Sequence, residues 1–357
     1  MSYVLAFLGF AALIILHEGG HFAAAKAVGM RVERFSLFFG PLLVKVRRGE
    51  TEYGIGPIPL GGYVRITGMN PHEDIPEDVL PRAYYNQPVW KRIVVILAGP
   101  AVNLVIAFVI VWGLFLANGE AVPSRHIAQV QSGTPAASKL RLGDQVVSVD
   151  GVGGSPDAIR AQLATHRCAP PEVNGCVSQT PARVVVKRGD QLLTFELHPR
   201  YSASANRPLL GFAFGDVQRP VGAARAASLT VTGLWTVTKD TVSVIARIFE
   251  PQERKQLNGV VGGYTYTQQA FATDTTLALQ VLALISLSLG VINLFPFLPL
   301  DGGHVFWALA EKVRGRRIPF EVMEKAGALG FVLIILLFVV GLSNDISTLS
   351  GKGFSVR

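Results

Sequence analysis

The chain has 357 residues, of which 50% are hydrophobic and only 16% charged, and its mean hydropathy is +0.38. A soluble globular chain carries about a quarter charged residues, so this composition points to a membrane protein with the lipid bilayer as a partner. The net charge of +8 would suit nucleic acid, but the basic residues are scattered around apolar runs and form no RNA-binding or helix-turn-helix signature, which excludes that class.

Four apolar segments approach or exceed the ~20 residues a helix needs to cross a hydrocarbon core. They run from Ser2 to about Val28, Ile93 to Ala117, Leu277 to Leu300, and Ala326 to Leu342. The first lacks a basic leader and leads into His17, Glu18 and His21, not into a small-residue cleavage site, so it is expected to be a retained span. Lys26, Arg31, Arg34, Lys91 and Arg92 flank the loop between spans one and two. Lys312, Arg314, Arg316 and Arg317 lie between spans three and four. Short cytoplasmic loops hold the excess of Lys and Arg, so these two loops are expected inside and the region from about Ala121 to Thr275 outside.

Inside, span one carries His17-Glu18-Gly19-Gly20-His21, an HExxH sequence on a helix. Histidines at i and i+4 share one face, where both imidazoles can bind one Zn2+ while the adjacent glutamate reaches a water. Three ionisable side chains within five residues of a membrane helix are costly and mark a functional site. A catalytic zinc takes three protein ligands, so a third must come from elsewhere. Span three ends in Asn293-Leu294-Phe295-Pro296-Phe297-Leu298-Pro299-Leu300-Asp301-Gly302-Gly303-His304, which offers both Asp301 and His304. The two prolines break the helix there, and irregular backbone is tolerated at membrane depth only where it is buried or lines a watery cavity. At 1.5 Å per residue, His17 lies ~23 Å along its helix from Ser2, and Asp301 nominally ~36 Å from Leu277, both towards the cytoplasmic side.

Between spans one and two, the Gly- and Pro-punctuated run Glu52 to Gly68 predicts strands in place of a helix. In the outer region, Ile127 to Pro199 alternates short apolar strands with turns and one helix-like stretch near Pro156 to Ala164. Its Gly133-Thr134-Pro135-Ala136-Ala137 and Leu142-Gly143-Asp144-Gln145-Val146-Val147-Ser148-Val149-Asp150-Gly151 resemble the signature of bacterial PDZ domains, which capture extended peptide ends by strand addition. Cys168 and Cys176 lie in this region, as a disulfide if it faces an oxidising space or as two thiols. Val221 to Gln256 has apolar residues at near-helical spacing, including Leu229, Leu234, Trp235, Ile248 and Phe249. It fits an interfacial amphipathic pair or ordinary packing against the PDZ-like region.

HExxH in the first span, an LDG motif in an N-x-x-P-x-x-x-L-D-G run, and a PDZ-like insert between spans two and three resemble the site-2 protease family in its RseP-type branch, over nearly the whole chain. The resemblance implies an intramembrane zinc metalloprotease with His17, His21 and Asp301 as metal ligands and Glu18 as catalytic acid-base, His304 being left with a supporting role. Gly99-Pro100-Ala101-Val102-Asn103 resembles the family's GPxxN element, and Glu52 to Gly68 its membrane-associated β-hairpin. Asn293, Asn103, Gly61 and Gly62 are then the expected substrate-binding residues.

The expected fold is a polytopic α-helical membrane protein of about four transmembrane helices, with a membrane-associated β-hairpin and one extracytoplasmic β-rich PDZ-like domain. Its parts are residues 1–120 (first part of the membrane domain), 121–215 (PDZ-like domain), 216–275 (amphipathic segment) and 276–357 (second part of the membrane domain). Expected partners are single-pass transmembrane substrates, such as anti-sigma factors or remnant signal peptides, and peptide ends at the PDZ-like domain. The expected location is a bacterial inner membrane, with the active site towards the cytoplasm.

Overall fold

A computed structural model describes residues 2–70, 73–170, 172–247, 250 and 260–350. Ile248, Phe249 and Gln256 of the predicted amphipathic stretch lie outside the described residues. The chain forms two compact units, Met1–Leu114 with Ala223–Arg357, and Phe115–Gly222.

The first unit opens with helix α1 (Ser2–Ala27), followed by strands β1 (Val32–Phe39), β2 (Val44–Arg48), β3 (Thr51–Ile55) and β4 (Ile58–Ile66). The sheet order is β2-β3-β1-β4. The expected hairpin of Glu52 to Gly68 is therefore corrected: β3 and β4 do not pair with each other but flank β1, parallel to it on one side and antiparallel on the other. Local chemistry explains this. Pro57 and Pro59 have no N–H to give to a two-stranded ladder. Gly56, between the strands, donates its N–H to Leu37 of β1 and sits so close to the Phe38 and Phe39 carbonyls that a Cβ there would collide with them. One face of the sheet is apolar and packs on α1, with the Phe22 ring 5.4 Å from Phe35 and 5.8 Å from Tyr53.

Among the described residues four helices are long and apolar enough to cross a membrane. They are α1, α2 (Val89–Asn118), α6 (Thr275–Asn293) and α8 (Phe320–Ser350). The third span is shorter than predicted. It stops at Asn293 because the following segment carries Pro296 and Pro299, and a separate helix α7 (Asp301–Arg314) starts beyond it. Gly302 and Gly303 let α7 press against the backbone of Leu294 and Phe297. The last helix is longer than its apolar run.

Between the units' second crossing and α6 lie α4 (Ala223–Ala246) and α5 (Val260–Thr273). On α4, Ala226 and Thr230 are buried, and Leu234 and Val237 pack against Ala107 of α2 and Leu287 and Val291 of α6. Part of the apolar stripe of that stretch is thus packed inside the first unit, while Val231, Trp235 and Val242 are exposed.

The second unit is a five-stranded sheet in the order β11-β5-β6-β7-β8 with one helix. Its elements are β5 (Glu120–Val130), β6 (Gln145–Val149), α3 (Pro156–Leu163), β7 (Ala182–Arg188), β8 (Gln191–Leu197) and β11 (Phe212–Arg219), with a small pair β9 (Arg200–Ser202) and β10 (Arg207–Leu209). Its ends are tied by the pairing of Glu120 with Arg219. Alternate residues of β7, Ala182, Val184 and Val186, are fully buried and meet Val146, Val149 and Ile159 in the core. Ser155 caps α3 by accepting from the Ala158 N–H at 3.2 Å, and Pro156 occupies its first turn. Cys168 and Cys176 are joined as a disulfide.

Candidate metal centre

His17 and His21 stand one turn apart on α1, both buried at 7% exposure. Two glycines let α2 come close enough to fix them. A Cβ at Gly99 would collide with the His21 imidazole, and one at Gly20 would collide with the Ala98 carbonyl. Asp301 reaches the same place from the first residue of α7, since the break after Asn293 turns the chain back to it. Its Oδ2 lies 3.2 Å from Nε2 of His17 and 3.2 Å from Nε2 of His21, and the two Nε2 atoms are 3.3 Å apart.

The hydrogen bonds on the far side of each ring decide what these atoms can be. Nδ1 of His21 is 2.8 Å from the Val95 carbonyl, which only accepts, so Nδ1 carries the proton and the neutral ring turns a lone pair from Nε2 towards Asp301. Nδ1 of His17 faces the Asn103 amide at 3.0 Å. Asn103 is fully buried, and its Oδ1 has no partner. Turning the amide over places Oδ1 on an Nδ1–H of His17, which gives that oxygen a partner and leaves a second Nε2 lone pair. Asp301 Oδ2 is also buried without a hydrogen bond. Three acceptors then converge, with all the ligand atoms within 4.8 Å of one another, an arrangement that a bound cation resolves. Two imidazoles and a carboxylate with room for a water suit zinc.

A cavity of about 380 Å³ opens on this cluster, lined by Glu18, Asn293, Gly61, Gly62, Tyr63, Val64 and Pro299 as well as His17, His21 and Asp301. Glu18 is the residue after His17 and faces the same space. A Cβ on Gly62 would lie 3.0 Å from Cγ of Glu18 and 3.0 Å from the Ser36 carbonyl, so only glycine lets β4 pass this close to the helix. Of the four expected substrate contacts, Asn293, Gly61 and Gly62 line the cavity. Asn103 is not among the residues that line it: its side-chain amide faces His17 Nδ1 and its backbone carbonyl accepts from Ser286 Oγ at 2.8 Å. His304 stands outside the converging group.

Sequence reasoning missed two features. The Val95 carbonyl is a backbone atom without a side-chain signature. The second is a link between the helices that carry the cluster: Arg92 in the first turn of α2 donates to Glu311 near the end of α7 at 2.6 Å, both side chains 12% exposed, with the Tyr84 ring 5.9 Å from the guanidinium. An Arg and a Glu 219 residues apart carry no local pattern.

The model of "Peptidase family M50" matches residues 5–337. The chain belongs to peptidase family M50. Zinc metalloprotease Rip1 of Mycobacterium tuberculosis is 32% identical over 380 residues, covering 92% of this chain and 91% of that protein. A Synechocystis relative named a zinc metalloprotease is 32% identical over 357 residues, covering 94% and 92%. One from Clostridium acetobutylicum, similarly named, is 28% identical over 350 residues, covering 97% of each chain. As an M50 peptidase the protein is a membrane zinc metalloprotease, and the converging His and Asp acceptors suit that metal.

Proposed function

We propose that this M50 peptidase cuts transmembrane segments of single-pass substrates within the bilayer, with zinc held by His17, His21 and Asp301 and with Glu18 as the acid-base. The observation that carries the reading is the convergence of three acceptors, two of them on a membrane-type helix, at a cavity that Glu18 also lines. Zinc, when bound, polarises the scissile carbonyl and makes water more acidic. Glu18 takes the proton of the attacking water and gives it to the leaving amine. Val95 and Asn103 keep the two imidazoles in the tautomer whose Nε2 is free, and Arg92 with Glu311 holds α7, and hence Asp301, against α2.

A helix hides its own amide groups, so a transmembrane substrate must unwind before attack. Strand β4 is an edge of its sheet, and its residues 61–64 line the cavity. An extended substrate added along β4 would present its backbone to Glu18, with Asn293 available for a further hydrogen bond. We place the protein in the RseP-type branch and read the second unit as a PDZ-like module for peptide ends. In support, β11 is a sheet edge, and a cavity of about 140 Å³ between it and α3 is lined by Arg160, Leu163, Leu210, Phe212 and Phe214. The basic loops argue for a bacterial inner membrane, with the second unit outside and the metal towards the cytoplasm. Shortened anti-sigma factors and remnant signal peptides are the substrate classes in view.

The test is direct. The purified protein is assayed for zinc per chain and incubated with a panel of single-span peptides, with and without a chelator. Chelator-sensitive cleavage inside the apolar stretch is expected. Cleavage confined to water-exposed loops, or zinc without any turnover, would reject intramembrane proteolysis.

A further inference from the structure

The face of the four-stranded sheet turned away from α1 is charged. Register places Arg47 of β2, Glu52 of β3, Arg34 of β1 and Arg65 of β4 side by side across all four strands. Arg34 and Arg65 are direct antiparallel neighbours, an arrangement of like charges that needs anions around it. A cavity of about 400 Å³ lies over this ladder.

The carboxylates that line it are already committed. Glu52 serves both Arg34 at 2.9 Å and Lys45 at 3.4 Å. Glu50 takes Lys26 at 2.8 Å and two bonds from Arg82 at 2.8 and 2.7 Å. Glu33 meets Arg65 at 3.1 Å and accepts from Thr67. Behind them, Glu73 binds Arg65 and the Gly68 N–H. Two lining guanidiniums remain. Among the described residues, neither Arg31 nor Arg47 has a side-chain hydrogen bond or a contact ion pair, although Glu73, committed to Arg65, is near enough to Arg31 for the charges to interact. Asp74, Glu77 and Asp78, on the loop that brings Pro76 to the cavity, form no ion pair with either of them.

We propose that this cavity binds a phosphate group through Arg31 and Arg47. The planar guanidinium fork matches two phosphate oxygens, and its charge-assisted hydrogen bonds are the strong kind. A phosphate gives a hydrogen-bonded partner to two guanidiniums that have none and offsets the Arg34/Arg65 repulsion. The group arrives either on an anionic lipid headgroup or as free phosphate. None of these side chains touches the metal cluster, so the inference is independent of the proposed proteolytic reading.

The experiment uses the full chain in uncharged maltoside micelles at fixed ionic strength. Inorganic phosphate is titrated in one arm, and micelles doped with phosphatidylglycerol or with an uncharged glycolipid are compared in the other. The thermal unfolding midpoint and native mass spectrometry are read in each. A saturable rise with phosphatidylglycerol alone identifies a headgroup, and a rise with inorganic phosphate identifies the free ion. Either must weaken at least about tenfold in R31Q/R47Q and be unchanged in R314Q/R316Q, whose exposed arginines lie elsewhere. Zinc content reports that the variant is folded. If R31Q/R47Q does not fold, R31K/R47K keeps the charge and loses the fork, and the same weakening is required of it. No saturable response to either probe in the wild type, or an equal response in the variants, overturns the site.

Discussion

Each of the two units buries a histidine against an aspartate, and the two arrangements differ in what they leave over. In the second unit, His166 Nε2 is 2.7 Å from Asp150 Oδ2 and its Nδ1 is 3.0 Å from Thr180 Oγ1. Asp150 also accepts from the Arg183 N–H at 2.8 Å and from Gln162 at 3.1 Å. Burial works against the Asp150 anion, yet these hydrogen bonds hold its carboxyl below the ordinary range. Every donor has an acceptor, and the network closes without a further group. In the first unit His17, His21 and Asp301 point acceptors at one another, and Asp301 Oδ2 is left over. A His–Asp contact is therefore structural or chemical according to whether its hydrogen-bond accounts close, and distance alone does not distinguish them.

The widest separation between the two is expected on removing a ligand. His17→Ala, His21→Ala and Asp301→Ala should each lose zinc and all turnover, while His304→Ala keeps about one zinc per chain; metal analysis of the four proteins reads this out. Zinc retained by Asp301→Ala and lost by His304→Ala would reverse the assignment of the third ligand. Next comes Glu18→Gln, which keeps shape and metal but not proton transfer. Its turnover of a single-span peptide should drop by roughly 10²- to 10⁴-fold or more at normal zinc content. Undiminished cleavage by the zinc-loaded variant would remove Glu18 from the mechanism.

Smaller effects test the supports. Asn103→Ala and Glu311→Gln remove groups that orient ligands without touching the reacting atoms, so zinc affinity should fall about 10- to 100-fold. Competition with a chromophoric chelator measures it, and wild-type affinity in both would make these contacts incidental. His166→Ala should do the opposite of a ligand variant. Zinc content and cleavage of a short peptide should stay unchanged while the second unit loses about 1–3 kcal/mol, the usual penalty for leaving Asp150 short of a donor. Denaturant unfolding of the intact chain shows the difference.

The smallest effect is one of pH. Arg82 and Lys26 hold the Glu50 carboxyl down at about 2. A depressed carboxyl stabilises the fold above the ordinary value of 4.5, and that contribution is lost as pH falls from there towards about 2. Acid unfolding of the first unit should therefore steepen below pH 4.5, and Glu50→Gln should flatten it.

Much of this was readable in the sequence because it is local. HExxH sets two imidazoles one helical turn apart, and prolines before Leu300-Asp301-Gly302 announce the break that brings a carboxylate back. Short apolar runs set off by turn signals between Ile127 and Pro199 marked a strand-rich segment. What could not be read depends on distant partners. Glu52 to Gly68 contains good strand residues, but nothing in it says that β1 slides between β3 and β4, since that choice is made by hydrogen bonds to residues 34–39. Nothing in the motif around Asn103 says that its amide faces Nδ1 of His17, 86 residues away in the chain. The α6 boundary fell short because proline stops a helix before the apolar character of the chain ends.

Gly99 has a consequence for what variation the protein can tolerate. The His21 ring lies where a methyl group on residue 99 would be, so even alanine there evicts the imidazole. Such a change alters neither the charge of the chain nor its HExxH and LDG signatures, and it leaves a helix that still spans. A screen that scores damage by loss of ligands would pass it as silent, although the His21 ring could not keep its place. Natural or engineered sequences with both motifs intact but a larger residue at this position should therefore be sorted among pseudoproteases unless α2 has moved outward to make room.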